Sequence, residues 1–217
     1  MNFSFRRPIL NASSLLARAV LGMLVLCASA HATSQFRVTV NTSSLSGVPG
    51  LAPYALDFQF NNGSILNNNT VSVNNFQYNG GGAVGAPTLF GGVTGNIGSS
   101  VLFNNSAPFQ EIFQTFTPGS SLRFDVLITA NPDGVTPDAF AFAILDKNLN
   151  NIPTNGLGDA LLLINVDNPG PGPQAFAGTG AFSNVTTSST PVPESGSYIL
   201  LLTGLPLLGF AARRKAK

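Results

Sequence analysis

Three groupings of residues in this 217-residue chain have the types and spacing to do chemistry. Asp146-Lys147-Asn148-Leu149-Asn150 sets oxygen-bearing side chains at alternate positions, as in the first half of a calcium loop. An EF-hand would continue with glycine and close on a bidentate acid at the twelfth position, where Asn151 and Leu157 stand. Asp146, Asn148 and Asn150 therefore read in one of two ways. They are ligands of a looser calcium site, with Asp133, Asp138 and Asp159 in neighbouring loops, or they are turn residues bonding their own backbone. Gly80-Gly81-Gly82-Ala83-Val84-Gly85 satisfies the G-x-G-x-x-G string. A phosphate cradle needs a helix to start there, and the Ala86-Pro87-Thr88-Leu89-Phe90 that follows reads as loop or strand. Glu111 and Asp125 are strand-borne acids that could act as the acid and base, or nucleophile, of a glycoside hydrolase. As exposed strand acids they would also discourage edge-to-edge aggregation.

Much other chemistry is excluded by composition. The only cysteine, Cys27, and the only histidine, His31, lie near the amino terminus in a segment that reads as a leader. The remainder then has no Ser-His-Asp or Cys-His arrangement and no thiolate or imidazole zinc site. No motif assigns a catalytic residue or requires a cofactor. Of the ten Lys and Arg residues only Arg37, Arg123 and Lys147 lie between the two ends, against nine acids. That acidic balance argues against nucleic acid, whose phosphates call for clustered basic residues.

The elements that must position these residues are strands. Phe36, Val38 and Val40 alternate with polar residues, as do Tyr54, Leu56, Phe58 and Phe60. Leu122, Phe124, Val126 and Ile128 alternate with Arg123, Asp125, Leu127 and Thr129 and form the clearest strand. Further strands are expected over 70–73, 76–78, 101–103, 109–116, 139–145 and 161–166, with Gly, Asn, Pro and Ser between them. In 139–145 Phe140, Phe142 and Ile144 share a face with alanines between, as in a strand covered on both sides. No amphipathic helix and no internal repeat appear. The expectation is an all-β fold, a single jelly-roll-like β-sandwich domain over 33–183, with most of the phenylalanines in its core. A Ser/Thr/Pro spacer, 184–194, follows it.

Both ends read as targeting segments. Arg6, Arg7 and Arg18 precede an apolar core over 19–26, and Ala28-Ser29-Ala30 or Ala30-His31-Ala32 offers a cleavage site. Residues 1–32 are thus read as a signal peptide handled by the Sec machinery and signal peptidase. Leu26 before Cys27 is too bulky for a lipobox. At the other end Val192-Pro193-Glu194-Ser195 leads into an apolar span, 195–212, and the basic tail 213–217 with Arg213, Arg214 and Lys215. Such a span partitions into a bilayer while its basic stop stays cytoplasmic. Gly204, Pro206 and Gly209 weaken it as a helix, which suits a temporary anchor.

This order of spacer, short Pro/Glu motif, hydrophobic span and basic stop resembles the carboxyl-terminal signal of the PEP-CTERM proteins. The family motif is Val-Pro-Glu-Pro; here Ser195 takes the place of the last proline. A plain membrane anchor would have the same hydropathy and charge. The resemblance covers the tail alone. It implies processing by an exosortase in a Gram-negative bacterium, an inner-membrane-anchored precursor, and a product at the cell surface or in the extracellular matrix. It also implies association with exopolysaccharide or biofilm. Two functions stay open: a non-catalytic exported surface or matrix protein, and a carbohydrate-active enzyme or glycan-binding module using acidic residues.

Overall fold

The computed structural model describes residues 33–48, 50–63, 69–131, 136–155, 158–167, 172–180 and 187–192. The leader 1–32, the motif residues Pro193, Glu194 and Ser195, the apolar span and the basic stop lie outside them. Among the described residues no helix is long and apolar enough to cross a membrane.

The fold is all-β and antiparallel. In chain order the strands are β1 Thr33–Asn41, β2 Tyr54–Asn61, β3 Thr70–Tyr78, β4 Gly82–Ala83, β5 Thr88–Phe90, β6 Thr94–Asn96, β7 Ser100–Phe103 and β8 Phe109–Thr117. There follow β9 Ser121–Thr129, β10 Ala139–Leu145, β11 Thr154–Asn155, β12 Leu162–Asn165, β13 Gln174–Ala177, β14 Thr179–Gly180 and β15 Thr187–Val192. One sheet runs β15-β1-β9-β3-β7-β6. The second runs β13-β12-β10-β2-β8-β4, with β5 also on β8, and β11 pairs with β14 apart from both.

The alternation read from the sequence is what joins the two sheets. Phe36, Val38 and Val40 of β1, and Leu122, Phe124, Val126 and Ile128 of β9, are buried on one inner face. Tyr54, Leu56, Phe58 and Phe60 of β2, with Phe140, Phe142 and Ile144 of β10, are buried on the other. Aromatic rings close the gap. Phe58 meets Phe124 edge-on with centroids 5.2 Å apart and Phe142 at 4.9 Å, and Phe124 meets Phe142 at 5.1 Å. Such pairs add to the burial of apolar area that holds the layers together.

Three local features depart from the simple pattern. The segments 70–73 and 76–78 are one strand, β3, whose register against β9 shifts between Asn74 and Gln77. Asn75 takes φ 56°, a left-handed conformation that asparagine tolerates. The bulge swaps parity, so that Val71 and Val73 before it and Phe76 and Tyr78 after it all pack on the core. On β8 the inward positions include Gln110 and Gln114, while Phe109 and Phe113 are only partly buried on the outer face. Not every phenylalanine is therefore a core residue. Phe90 is 61% and Phe176 42% exposed. Finally, the stretch composed like a spacer contains β15, which pairs with β1 from Gln35↔Val192 to Val40↔Thr187. Thr-rich sequence suits a strand, and Pro191 is tolerated because β15 is an edge.

Candidate functional site

The acids fall into four environments, and these decide what each can do. Asp125 lies on the outer face of the first sheet. It is held by Arg37 through two bonds, Nε to Oδ1 at 2.9 Å and Nη2 to Oδ2 at 3.0 Å. Gln35 and the bulge residue Asn75 also donate to its Oδ2. Arg37 above all holds the Asp125 carboxyl below the usual carboxylate range. Glu111 sits on the outer face of the other sheet, beside Gln59 of β2 in the register. Glu111 and Asp125 thus occupy opposite sides of the molecule and cannot act as one acid–base pair.

A second group ties loops together at one end of the sandwich. Asp138, just before β10, is fully buried. Its Oδ1 accepts from the Gly63 backbone N–H at 2.7 Å, and its Oδ2 from the amides of Asn69 and Asn105, each at 2.8 Å. Asp167 accepts from the Asp138 backbone N–H at 2.6 Å and from Asn69 at 3.1 Å. Burial pushes the Asp167 carboxyl up. With this many donors the two carboxylates are committed to structure.

Asp146 caps a turn. Its Oδ1 accepts from the backbone N–H groups of Asn148 at 2.8 Å and Asn150 at 2.9 Å, which lowers its pKa. Leu149 takes the left-handed conformation, φ 60°. Of the two readings of this pentapeptide, the geometry matches the turn, in which the aspartate bonds backbone two and four residues on. The glycine string carries β4 and no helix begins in it, so it lacks the N–H array that a phosphate would need.

The fourth environment was not singled out by sequence. On the outer face of the second sheet Asp57 of β2 faces Ala143 of β10 across one strand pair and Phe113 of β8 across the other. Ala141 and Ala143 have methyl groups only, and they leave a pocket of about 180 Å³ lined by Asp57, Gln59, Asn151, Asp159 and Ala160. Asp57 is 2% exposed. Its Oδ2 accepts from Gln59 Nε2 at 2.7 Å, and the same nitrogen donates to Glu111 Oε1 at 3.2 Å. Its Oδ1 is buried without a hydrogen-bond partner. Burial first, and the neighbouring Glu111 charge second, push the Asp57 pKa up to about 7, with the Gln59 bond pulling the other way. Phe90, on β5, stands opposite Glu111 in the register and contacts Phe109, centroids 5.9 Å apart. This face thus combines acids, amides and an exposed aromatic ring. The signal available in the sequence was the pairing of an acid on β2 with alternate alanines in 139–145, which sequence alone cannot bring into register.

Among the described residues no three carboxylates converge closely enough to form a ready-made metal cluster. Comparison with family profiles, with curated proteins and with solved structures finds no match to this chain.

Proposed function

We propose that this chain is an exported, non-catalytic surface or matrix protein, delivered by an amino-terminal signal peptide and sorted through its carboxyl-terminal tail by an exosortase-type enzyme. The structural observation that carries this reading is the pairing of β1 with β15, in which Gln35 stands opposite Val192. Thr33, where the leader ends, and Val192, where the sorting motif starts, leave the sheet side by side. A precursor with a leader and a tail in the same membrane needs both ends of its cargo to face that membrane. Had the two ends lain at opposite poles of the nine-residue β1, they would be about 30 Å apart.

The cargo in this reading is a jelly-roll-like sandwich, supported by the way β1, β2 and β3, and again β8, β9 and β10, alternate between the two sheets. Its partner is extracellular polysaccharide, met on the outer face of the second sheet. There Phe90 offers an exposed ring, and Glu111, Gln59 and Asp159 offer acceptors for hydroxyl groups. The precursor is anchored in the inner membrane of a Gram-negative cell by 195–212, and the product is displayed or released. Expression in a host with and without its exosortase tests the sorting step. Loss of the tail only in the exosortase-positive host supports the reading; retention in both makes the segment a plain anchor.

One observation favours a second reading, a carbohydrate-active enzyme. Gln59 bridges Asp57 and Glu111, so their bonded oxygens are at most about 6 Å apart, close to the roughly 5–5.5 Å of retaining glycosidases. An acid with a raised pKa beside a second carboxylate is the pairing such chemistry uses. The occlusion of Asp57 weighs against it, since a general acid must reach the glycosidic oxygen. Hydrolysis of a polysaccharide panel that disappears in both Asp57→Asn and Glu111→Gln would overturn the non-catalytic reading.

A further inference from the structure

The pocket above Asp57 has a chemistry that export and polysaccharide binding do not require. A buried carboxylate oxygen with no donor is costly, and more so when the group is charged. Asp57 Oδ1 is such an atom, in a side chain 2% exposed. A bound ion is one of the groups that can meet such an oxygen.

What surrounds it narrows the occupant. Asp159 and Asn151 line the pocket from the segment between β10 and β12, Gln59 lines it from β2, and Glu111 adds negative charge behind Gln59. No basic side chain is among the lining residues. Arg37 is engaged with Asp125 and Arg123 with Gln77 on the other sheet, and Lys147 is exposed on the turn after β10. The available ligand atoms are carboxylate and amide oxygens, with no sulfur or imidazole nitrogen. The alanine floor leaves open volume where larger side chains would have filled it.

We propose that this pocket binds a hard divalent cation of the calcium class, with Asp57 Oδ1 as its deepest ligand and Asp159 and the amide oxygens of Asn151 and Gln59 as the further oxygens available to it. An all-oxygen set selects calcium or magnesium over zinc or copper. Its mixed amide and carboxylate character, drawn from β2 and from residues beyond β10, suits the irregular shell of calcium better than the strict octahedron of magnesium. Because two carboxylates line the pocket and water must complete the shell, the affinity belongs to the weak extracellular class, about 10⁻⁴–10⁻³ M. The ion would join Asn151 and Asp159 to the sheet and cancel the charge that Asp57 and Glu111 place close together. This site is separate from the Asp146 turn, whose carboxylate is occupied by backbone N–H groups.

The test is titration of the full chain, purified in detergent, with calcium chloride by calorimetry, with magnesium chloride as the comparison and melting temperature as a second readout. One site with a dissociation constant of about 10⁻⁴–10⁻³ M, and a tenfold or greater rise in the folded-to-unfolded ratio at tenfold excess over that constant, is expected. Asp57→Asn keeps the shape of the side chain and should abolish binding. Asp159→Asn, on an exposed position that the fold does not need, should weaken it at least fivefold, which keeps the test decisive if the first variant folds poorly. Asp146→Asn should leave it unchanged. The proposal is overturned by absence of binding at about 20 mM calcium, roughly twentyfold above the top of the weak range, by binding that survives both Asp57→Asn and Asp159→Asn, or by binding lost only in Asp146→Asn.

Discussion

Replacing Asp138 by alanine removes the acceptor on which three loop donors converge. The Gly63 N–H and the amides of Asn69 and Asn105 would lose a charged partner at 2.7–2.8 Å, at positions where Asn69 is 1% and Asn105 0% exposed. Hydrogen bonds to a charged group contribute about 1.5–3 kcal/mol each. The three are not additive, because the vacated space admits water and the loops relax. A loss of about 3–5 kcal/mol is the expected net, comparable to breaking one side of a buried ion pair and large against a total stability of about 5–15 kcal/mol. Asp138→Asn should cost nearly as much, since it keeps the volume but turns an NH₂ toward donors. The control is Asp159→Asn, an exposed loop change expected to stay within about 0.5 kcal/mol in chelator. Urea denaturation followed by intrinsic tyrosine fluorescence and circular dichroism measures this as a shift in midpoint at constant slope. If both Asp138 variants lose less than about 1 kcal/mol, a share smaller than one such bond, the network does not hold these loops and the reasoning from its geometry fails.

Other consequences can be checked in the same assay. Asp57 has a pKa of about 7 in the folded state against 3.8 in an open chain, so between those values the native protein holds a proton that the unfolded chain has released. Stability should therefore fall as pH rises from about 4 to about 7 and level off above, by on the order of 4 kcal/mol at most. Asp57→Asn should flatten that slope when divalent ions are chelated; an unchanged slope assigns it to another group. Phe58→Ala, which opens a hole among Phe124, Phe142 and Phe140, should cost about 3–5 kcal/mol, and a cost below 1 kcal/mol would mean that the inner faces are not packed as described. Gly91→Ala should destabilise far more than Gly85→Ala. Both have positive φ, but a Cβ at Gly91 would run into the Phe109 carbonyl, whereas the space at Gly85 is open. Equal losses would show that backbone conformation alone sets the cost.

How much of this could be read from the residues depends on whether the information was local. The strands β2, β9 and β10 were legible because each repeats its apolar residues with period two over seven residues or more, and the inner faces follow from that. The continuity of β3 was not, since a bulge at Asn75 resets the parity and makes one strand look like two. The edge strand β15 hid in a Ser/Thr composition shared by strands and linkers; only pairing with β1 distinguishes them. Glu111 and Asp125 look equivalent as strand acids, and nothing near either one tells which sheet its strand joins. Asp57 is the clearest case. What sets it apart is two alanines on a strand more than eighty residues away and an asparagine and an aspartate beyond it, brought together by register alone.

The account rests on the chain being exported and then cut at its tail. Intact-mass measurement and terminal sequencing of the protein from an exosortase-carrying Gram-negative host address both steps at once. The predicted product begins at His31 or Thr33, ends near Pro193 or Glu194, and is found at the surface or in the medium. A cell-associated chain that still begins at Met1, or one that has lost its leader but still ends at Lys217, would contradict it.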